Sequence, residues 1–225
     1  MFEKLKGGLI VSCQALPDEP MHSSFIMGRF ARAAVMGGAV GIRANTRADI
    51  EEIKKEVDVP IIGIVKRVYK DCDVYITPTM DEIDEVAASG ADIAAVDATA
   101  RPRPDGVSLE DFVGRIRKKY PKLALMADTA TFEEAKNAEK LGFDFIGTTL
   151  RGYTEETKDI EIPDFDYIKS LVDNINLPII AEGGIHTPEE FKRALEQGVF
   201  CCVVGGAITR PLEITRRFTA MAENK

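Results

Sequence analysis

Short apolar stretches alternate with amphipathic stretches along the chain, and this alternation constrains the fold more than any other feature. Eight of the apolar stretches can be interpreted as strands, at residues 8–14, 38–43, 60–66, 91–97, 122–128, 143–149, 178–184 and 199–206. Most of their residues are apolar at consecutive positions, which is typical of parallel strands that are buried on both faces. Parallel strands need long crossover connections, and the intervening amphipathic stretches can supply them as helices. The pattern therefore predicts an α/β protein.

The amphipathic stretches carry recognisable signals for helix ends. Three of them begin with threonine followed three positions later by glutamate, the pattern of a capping box, at Thr79–Glu82, Thr131–Glu134 and Thr187–Glu190. A glycine follows each of these three helices, at positions 90, 142 and 198. Glycine commonly ends helices because it adopts the left-handed conformation without steric cost. These signals predict helices between the strands.

A glycine also recurs at nearly constant spacing. Gly38, Gly90, Gly142 and Gly198 are 52, 52 and 56 residues apart, and each interval holds two strand–helix pairs. Eight such pairs in 225 residues fit a (β/α)8 TIM barrel, for which about 250 residues are typical. We therefore predict one barrel domain over residues 1–225. An open, doubly wound sheet is the alternative, and it is disfavoured because no Gly-x-Gly-x-x-Gly motif opens the first helix.

Composition restricts the partners. The net charge of −8 argues against nucleic acid or an anionic membrane as a partner. No apolar run approaches the roughly 20 residues of a membrane-spanning helix, and the first residues lack the pattern of a signal peptide. We therefore predict a cytoplasmic protein. The two histidines have no neighbours at metal-ligand spacing, so we expect no metal, and we expect the four cysteines to be reduced and mostly packed.

Charged residues at strand ends indicate where a site lies. Alternate strands of a (β/α)8 barrel supply one interior layer, and active sites lie at the carboxyl ends of the strands. When the odd-numbered strands are aligned, Gln14, Lys66 and Asp128 fall at the same position as Gly184, pointing inward at the mouth. Glu182 has the same inward orientation one layer deeper. The alignment predicts that a lysine and two carboxylates converge on one cavity.

Each of these residues also has a purely structural interpretation. Lys66 and Glu182 can form a structural ion pair, although such buried pairs are costly. Arg43, at the end of the second predicted strand, can contact a ligand or pair with a barrel carboxylate such as Asp97. Asp128 can be a turn residue as readily as a ligand contact. The long loop after the sixth strand, which contains Tyr153, is a candidate lid.

Two glycine pairs end the seventh and eighth predicted strands. They are Gly183–Gly184 and Gly205–Gly206, and Arg210 follows the second pair just before Pro211. Barrels often bind phosphate at this place, with backbone N–H groups and a helix N-terminus. An arginine can add two parallel hydrogen bonds to the same phosphate. The glycines and Arg210 together predict a phosphate site.

An ordered set of motifs resembles the N-acetylmannosamine-6-phosphate 2-epimerase family. The motifs are VSCQALPDEP, GIRAN, VKR, DATARPRPDG, MADTAT, GTTLRGYT, AEGGIHTPE and VVGGAITRP, and they extend from Gly8 to about Arg217. The resemblance implies a TIM barrel that interconverts N-acetylmannosamine 6-phosphate and N-acetylglucosamine 6-phosphate in sialic acid and amino sugar catabolism. It implies a homodimer, a phosphorylated amino-sugar substrate, and no cofactor, neither metal nor nucleotide. It assigns catalysis to Lys66 and Glu182, and substrate contact to Gln14, Arg43, Asp128 and Arg210.

Epimerisation at C2 of such a sugar sets clear chemical requirements. The C2 proton is acidic only when C1 is a free aldehyde, so the sugar ring must open. A lysine with its usual pKa of about 10.4 is too basic to be neutral near pH 7. Burial and cations such as Arg43 or Arg67 would lower the pKa of Lys66, whereas nearby carboxylates would raise it. Glu182 would assist ring opening or carry a second proton.

Two other functions are compatible with the same residues. A Schiff-base lyase or aldolase would also use a barrel lysine, here Lys66, and would form a covalent adduct with its substrate. A non-catalytic sugar-phosphate-binding protein would keep the phosphate site and bind the sugar without exchanging the proton at C2.

Overall fold

Eight parallel strands close into a barrel in chain order in the computed structural model, which describes residues 2–223. The strands are β1 (Leu9–Cys13), β2 (Gly41–Asn45), β3 (Ile61–Ile64), β4 (Ile93–Asp97), β5 (Ala124–Asp128), β6 (Phe145–Gly147), β7 (Ile179–Glu182) and β8 (Cys201–Val204). The helices are α1 (Ser24–Met36), α2 (Arg47–Glu56), α3 (Met80–Ser89), α4 (Leu109–Lys119), α5 (Phe132–Leu141), α6 (Phe165–Asn174), α7 (Pro188–Glu196) and α8 (Pro211–Glu223). A short 3-10 helix, Phe2–Leu5, precedes β1.

The predicted (β/α)8 architecture is confirmed, and the open sheet is wrong because β1 pairs with β8. The pairing places Leu9 opposite Cys202 and Val11 opposite Val204. Seven strands lie within the predicted stretches, and β2 continues past Arg43 to Asn45. Strands β3, β6, β7 and β8 each end two residues before the predicted stretch does, at Ile64, Gly147, Glu182 and Val204.

The helix signals are confirmed at most of the predicted ends. All three capping boxes form, since each threonine side chain accepts from the helix and each glutamate reaches back to the cap. Gly90 and Gly142 are left-handed C-caps, with φ of 76° and 80°. Helix α7 instead has Gln197 as its C-cap, and Gly198 follows with φ of 93°.

The core has two layers that the strands separate. The inner cluster fills the barrel and includes Ile10, Ile64, Met126, Ile180 and Val203, whereas the outer cluster lies between the strands and the helices. At the amino ends of the strands, the ring of Phe2 packs edge-on against Phe145, with centroids 5.5 Å apart. The inner packing leaves the carboxyl ends of the strands as the place for a cavity.

The cysteines are unbonded, as expected for reduced thiols. Cys201 and Cys202 are adjacent in β8 and point to opposite faces, because Cys201 belongs to the inner cluster and Cys202 to the outer one. Burial raises the pKa of Cys13 and of Cys202 to about 12. These thiols are therefore protonated near neutral pH and serve as packing groups.

No helix between residues 2 and 223 combines the length and the apolar character that crossing a membrane requires.

Candidate active site

A cavity of about 330 Å³ opens at the carboxyl ends of the strands. The predicted residues that line it are Gln14, Arg43, Lys66, Glu182, Gly183, Gly184, Gly205, Gly206 and Arg210. Asp128 does not line the cavity, since it is completely buried behind Arg43. The structure therefore brings nine of the ten predicted site residues to one cavity and places the tenth directly behind it.

Arg43 joins the two carboxylates that the strand alignment brought together. Its Nη2 donates to Asp128 Oδ2 at 2.6 Å, and its Nη1 donates to Glu182 Oε2 at 2.8 Å. Burial opposes the charge on Arg43, but Asp128 and Glu182 outweigh burial and raise its pKa, so Arg43 stays charged. The barrel carboxylates that pair with Arg43 are therefore these two, because Asp97 pairs with Arg101 instead.

Two consecutive threonines that follow β6 contact Asp128 and Glu182, and neither was among the predicted site residues. Thr149 Oγ1 lies 2.6 Å from Asp128 Oδ1 and 3.2 Å from Glu182 Oε2. Thr148 Oγ1 donates to the Glu182 carbonyl at 2.8 Å and accepts from the Glu182 N–H at 2.9 Å. The Thr148 N–H also donates to the Ile180 carbonyl at 3.2 Å, so this threonine links β6 to β7 through both its backbone and its side chain. In the sequence, the two adjacent polar residues at the end of the sixth predicted strand were the signal that could have identified these threonines.

Lys66 reaches the cavity from a fixed backbone position just beyond β3. Its N–H donates to the Asn45 side chain at 2.8 Å, and it forms a bridge with Ile76 across the following loop. Within residues 2–223 its ammonium makes no ion pair and no hydrogen bond, so the structural Lys66–Glu182 pair is not formed there. Arg43, rather than Lys66, is the cation that pairs with Glu182.

The surroundings of the Lys66 ammonium disfavour its charged form. Burial lowers the pKa of Lys66 most, followed by the positive charges of Arg43 and Arg210, and the result is a pKa of about 8. Glu182 and Asp128 oppose this change without reversing it. Arg67 does not contribute, because it pairs with Glu82 and Glu85 on α3. A large fraction of Lys66 is therefore neutral at mildly alkaline pH.

The pKa of Glu182 is displaced upward, whereas that of Lys66 is displaced downward. Burial raises its pKa above the usual range, whereas Arg43 acts against this rise. The site therefore combines an amine that loses its proton easily with a carboxyl group that retains its proton more readily than usual. Groups with pKa values displaced in this way are suited to proton transfer near neutral pH.

Among residues 2–223, two buried polar atoms at the cavity lack a hydrogen-bond partner. They are Gln14 Oε1, an acceptor, and Arg43 Nε, a donor. The other end of the Gln14 amide is fixed, since its Nε2 donates to Ser12 Oγ at 2.8 Å. An unsatisfied buried polar atom costs about 1–3 kcal/mol, so both atoms favour a polar ligand that supplies the missing partners.

The two glycine pairs and Arg210 form one side of the cavity, here called the glycine corner. In the described part of the chain, the N–H groups of Gly183, Gly184 and Gly206 donate to no protein acceptor. Gly183 and Gly184 have φ of 108° and 73°, which other residues rarely adopt. A Cβ on Gly184 would also lie 2.6 Å from the Ile162 backbone, so this glycine serves the packing of the β6–α6 loop as well. Free N–H groups beside a cation are suited to an anion.

Several further residues line the cavity without having been predicted as site residues. They are Ser12, Ile64, Tyr75, Ile76, Thr149, Leu150, Tyr153, Ile185, His186, Val203, Thr209 and Glu213. Tyr75 comes from the long β3–α3 loop, whose sequence has no regular pattern that would indicate it. Tyr153 lies on the β6–α6 loop and is 56% exposed, which is consistent with a loop residue at the mouth.

No group of three or more His, Cys, Asp or Glu side chains within residues 2–223 is arranged to hold a metal ion. The ligands that metals prefer are present as Asp128 and Glu182, but Arg43 already occupies their inner oxygens. Arg43, Asp128 and Glu182 therefore form a hydrogen-bonded cluster of their own.

Comparison with known proteins gives a consistent result. Residues 27–224 match the family described as "Putative N-acetylmannosamine-6-phosphate epimerase". A protein of Borreliella afzelii named "Putative N-acetylmannosamine-6-phosphate 2-epimerase" is 60% identical over 97% of this chain and 95% of its own length. A protein of the same name from Caldanaerobacter subterraneus subsp. tengcongensis is 55% identical over 100% of this chain and 95% of its own length.

A solved structure supports the same relationship. The N-acetylmannosamine-6-phosphate 2-epimerase from Clostridium perfringens is 52% identical, covers 98% of this chain and 96% of its own, and superposes with a TM-score of 0.94. Similarity of this extent in both sequence and structure spans all eight strands and the whole cavity. The chain therefore belongs to the N-acetylmannosamine-6-phosphate epimerase family.

Proposed function

We propose that this protein interconverts N-acetylmannosamine 6-phosphate and N-acetylglucosamine 6-phosphate by removing and returning the proton at C2. The observation that carries the proposal is the Lys66 ammonium, which has no partner within the described residues and a pKa lowered to about 8, in one cavity with Glu182 and the glycine corner. The printed names of the relatives agree with this reaction. The pathway would be amino sugar catabolism, including the breakdown of sialic acid.

The cavity suggests how such a substrate would lie. The phosphate would bind at the glycine corner, where Arg210 and unpaired N–H groups favour an anion. The reacting end of the sugar would then extend toward Lys66 and Glu182. Gln14 Oε1 and Arg43 Nε, which lack partners, would contact hydroxyl or acetamido groups of the substrate. Asp128 would act from behind, by holding Arg43.

The proton transfers follow from the two displaced pKa values. With the sugar open and C1 an aldehyde, the neutral amine of Lys66 takes the C2 proton. The electron pair of the C–H bond then forms the C1–C2 double bond, and negative charge develops on O1. Return of a proton to the opposite face of C2 gives the epimer. Glu182, which retains its proton more readily than usual, would assist ring opening or deliver that second proton.

Proton NMR tests the reaction directly. Purified full-length protein is incubated with N-acetylmannosamine 6-phosphate alone, and the anomeric signals of both sugars are followed with time. We expect N-acetylglucosamine 6-phosphate to appear until equilibrium, without any added metal or nucleotide. Folded protein that binds the substrate but produces no epimer, and exchanges no C2 proton with D2O, would identify a binding protein instead.

Deuterium transfer distinguishes the two roles of Glu182. The reaction is run to low conversion in D2O, and the product is examined for protium at C2. A scheme with two separate, solvent-exchanged proton carriers predicts product that is almost fully deuterated. Substantial retention of protium in the product would favour Lys66 as the single carrier and would confine Glu182 to ring opening.

The activity should depend on pH through Lys66. Because burial and two cations lower the pKa of Lys66 to about 8, its amine is mostly protonated, and inactive as a base, at neutral pH. We expect kcat/KM to rise about tenfold per pH unit below this value and to level off above it. Initial rates in buffers of constant ionic strength measure the profile. A profile that is flat through this range would contradict the assignment of Lys66 as the base.

Three broader proposals accompany the activity. We propose that residues 1–225 act as one barrel domain, that the protein resides in the cytoplasm, and that it is a homodimer. Support for the dimer comes from α8, on which Phe218 and Met221 are 76% and 74% exposed. Light scattering after size exclusion measures the mass, and replacing Phe218 with serine should shift a dimer toward monomer. A monomer at all concentrations would exclude the dimer.

A further inference from the structure

The first turn of α8 places a carboxylate inside the glycine corner. Glu213 Oε1 accepts a hydrogen bond from Arg210 Nη1 at 2.7 Å, and Glu213 lines the same cavity as Lys66. A Cβ built on Gly206 would collide with Glu213 Oε2, so the carboxylate lies directly against the Cα of this glycine. Glu213 therefore occupies the space that the second glycine pair leaves open.

Arg210 is already paired with carboxylates in this structure. Besides Glu213, it lies 3.5 Å from Glu19 Oε2, measured from its Nη2. A phosphate that binds an arginine through two parallel hydrogen bonds requires the same N–H groups. Arg210 is 26% exposed and Glu213 is 37% exposed, so both side chains have room to exchange partners.

Glu213 also uses the third element that would hold a phosphate. It lies in the first turn of α8, where the unpaired N–H groups and the helix dipole favour negative charge. One side chain thus contacts the guanidinium and the glycine surface from a position in the first turn of the helix. A phosphate and this carboxylate cannot occupy the same contacts, and their like charges repel each other.

We propose that the Glu213 carboxylate occupies the glycine corner of the free protein as an internal competitor and is displaced by the substrate's phosphate. The inference rests on the proposed function, because it takes the glycine corner as the phosphate site. Displacement lowers the affinity of a sugar phosphate and of a free anion by the same factor. A sugar phosphate has further contacts at the Lys66 end of the cavity and still binds, whereas a free anion such as inorganic phosphate has none and binds weakly. Glu213 thereby limits occupation of the glycine corner by small anions.

Inorganic phosphate is the probe that tests the proposal. Its affinity for the full-length protein is measured by titration calorimetry at low ionic strength, with inhibition of turnover as a second measurement. Glu213→Gln keeps the shape of the side chain and an acceptor for Arg210 but removes the charge. We expect phosphate to bind this variant about three- to fivefold more tightly, as the loss of one exposed charge contact implies. Added sodium chloride should reduce the difference by screening.

The opposite result has a clear meaning. If Glu213 only holds Arg210 in position for phosphate, Glu213→Gln will bind phosphate equally well or more weakly, and Glu213→Ala will bind it more weakly still. Under the proposal, Glu213→Ala also binds phosphate more tightly than the unaltered protein. Circular dichroism shows whether each variant is folded. If one of the two folds poorly, the phosphate affinity of the other still decides between the two interpretations.

Two further variants separate this inference from the proposed function. Glu133→Gln removes an exposed acidic residue from the first turn of α5, away from the cavity, and should leave phosphate affinity unchanged. Arg210→Ala should abolish phosphate binding. If it does so while Glu213→Gln has no effect, the displacement is wrong but the phosphate site stands. If Arg210→Ala binds phosphate normally, both the site and the inference are wrong.

Discussion

Replacing Lys66 with alanine is expected to lower kcat by about a hundredfold to ten-thousandfold, the usual contribution of a positioned general base. The Lys66 ammonium has no ion pair or hydrogen bond within residues 2–223, and its removal also relieves a partly desolvated charge. The variant should therefore fold normally and melt at or above the temperature of the unaltered protein. NMR turnover assays and thermal unfolding followed by circular dichroism measure the two quantities.

Two controls make the Lys66 result specific. Lys122→Ala removes an exposed lysine that precedes the amino end of β5, at the end of the barrel away from the cavity. This change should alter neither activity nor stability. Added methylamine should restore part of the activity of Lys66→Ala, since a small amine can enter the space that the side chain leaves. Near-normal turnover by Lys66→Ala without added amine would remove Lys66 from the mechanism.

Replacing Arg43 with methionine is expected to destabilise the fold by about 3–5 kcal/mol, because it leaves Asp128 and Glu182 buried without their shared cation. The loss should be largest near neutral pH and smaller in acid, where Glu182, whose pKa burial raises, takes up a proton. Urea denaturation at several pH values measures the change. The positive charge of Arg43 also lowers the pKa of Lys66, so any remaining activity should have its pH midpoint shifted upward.

The charge balance of the Arg43 cluster can be tested in a second variant. Adding Asp128→Asn to Arg43→Met should recover part of the lost stability, because only Glu182 then remains as a buried acid. The matched control is Arg47→Met, which breaks an exposed pair with Glu51 and should cost less than about 1 kcal/mol. If Arg43→Met costs no more than Arg47→Met, the buried cluster does not contribute to stability as described.

The fold was predictable because its signals are local. Continuous apolar stretches, capping boxes and glycine stops each depend on a few neighbouring residues, and they recur with a regular period that indicates eight units. The convergence of Gln14, Lys66, Asp128 and Glu182 followed from strand alternation alone, since the inward direction is fixed once a strand is assigned. The inward direction of each of these four side chains is therefore determined by the pattern of its own strand.

The remaining features depend on contacts between distant segments, and no local pattern encodes them. Thr149 reaches Asp128 and Glu182 because β6 lies between β5 and β7. The choice of Arg43 over Lys66 as the partner of Glu182 depends on side-chain reach across the barrel. Glu213 looks like an ordinary first-turn acid in the sequence, and its place against Gly206 is evident only in three dimensions.

The adjacent cysteines of β8 provide a means of observing how the barrel opens. Cys201 lies in the inner cluster and Cys202 in the outer one, so consecutive residues report on separate layers of the protein. A thiol reagent should modify the partly exposed Cys72 first and reach the β8 thiols only after the structure opens. Peptide mapping of the labelled protein would then show whether the helices detach before the barrel separates, or whether both layers unfold as one cooperative unit.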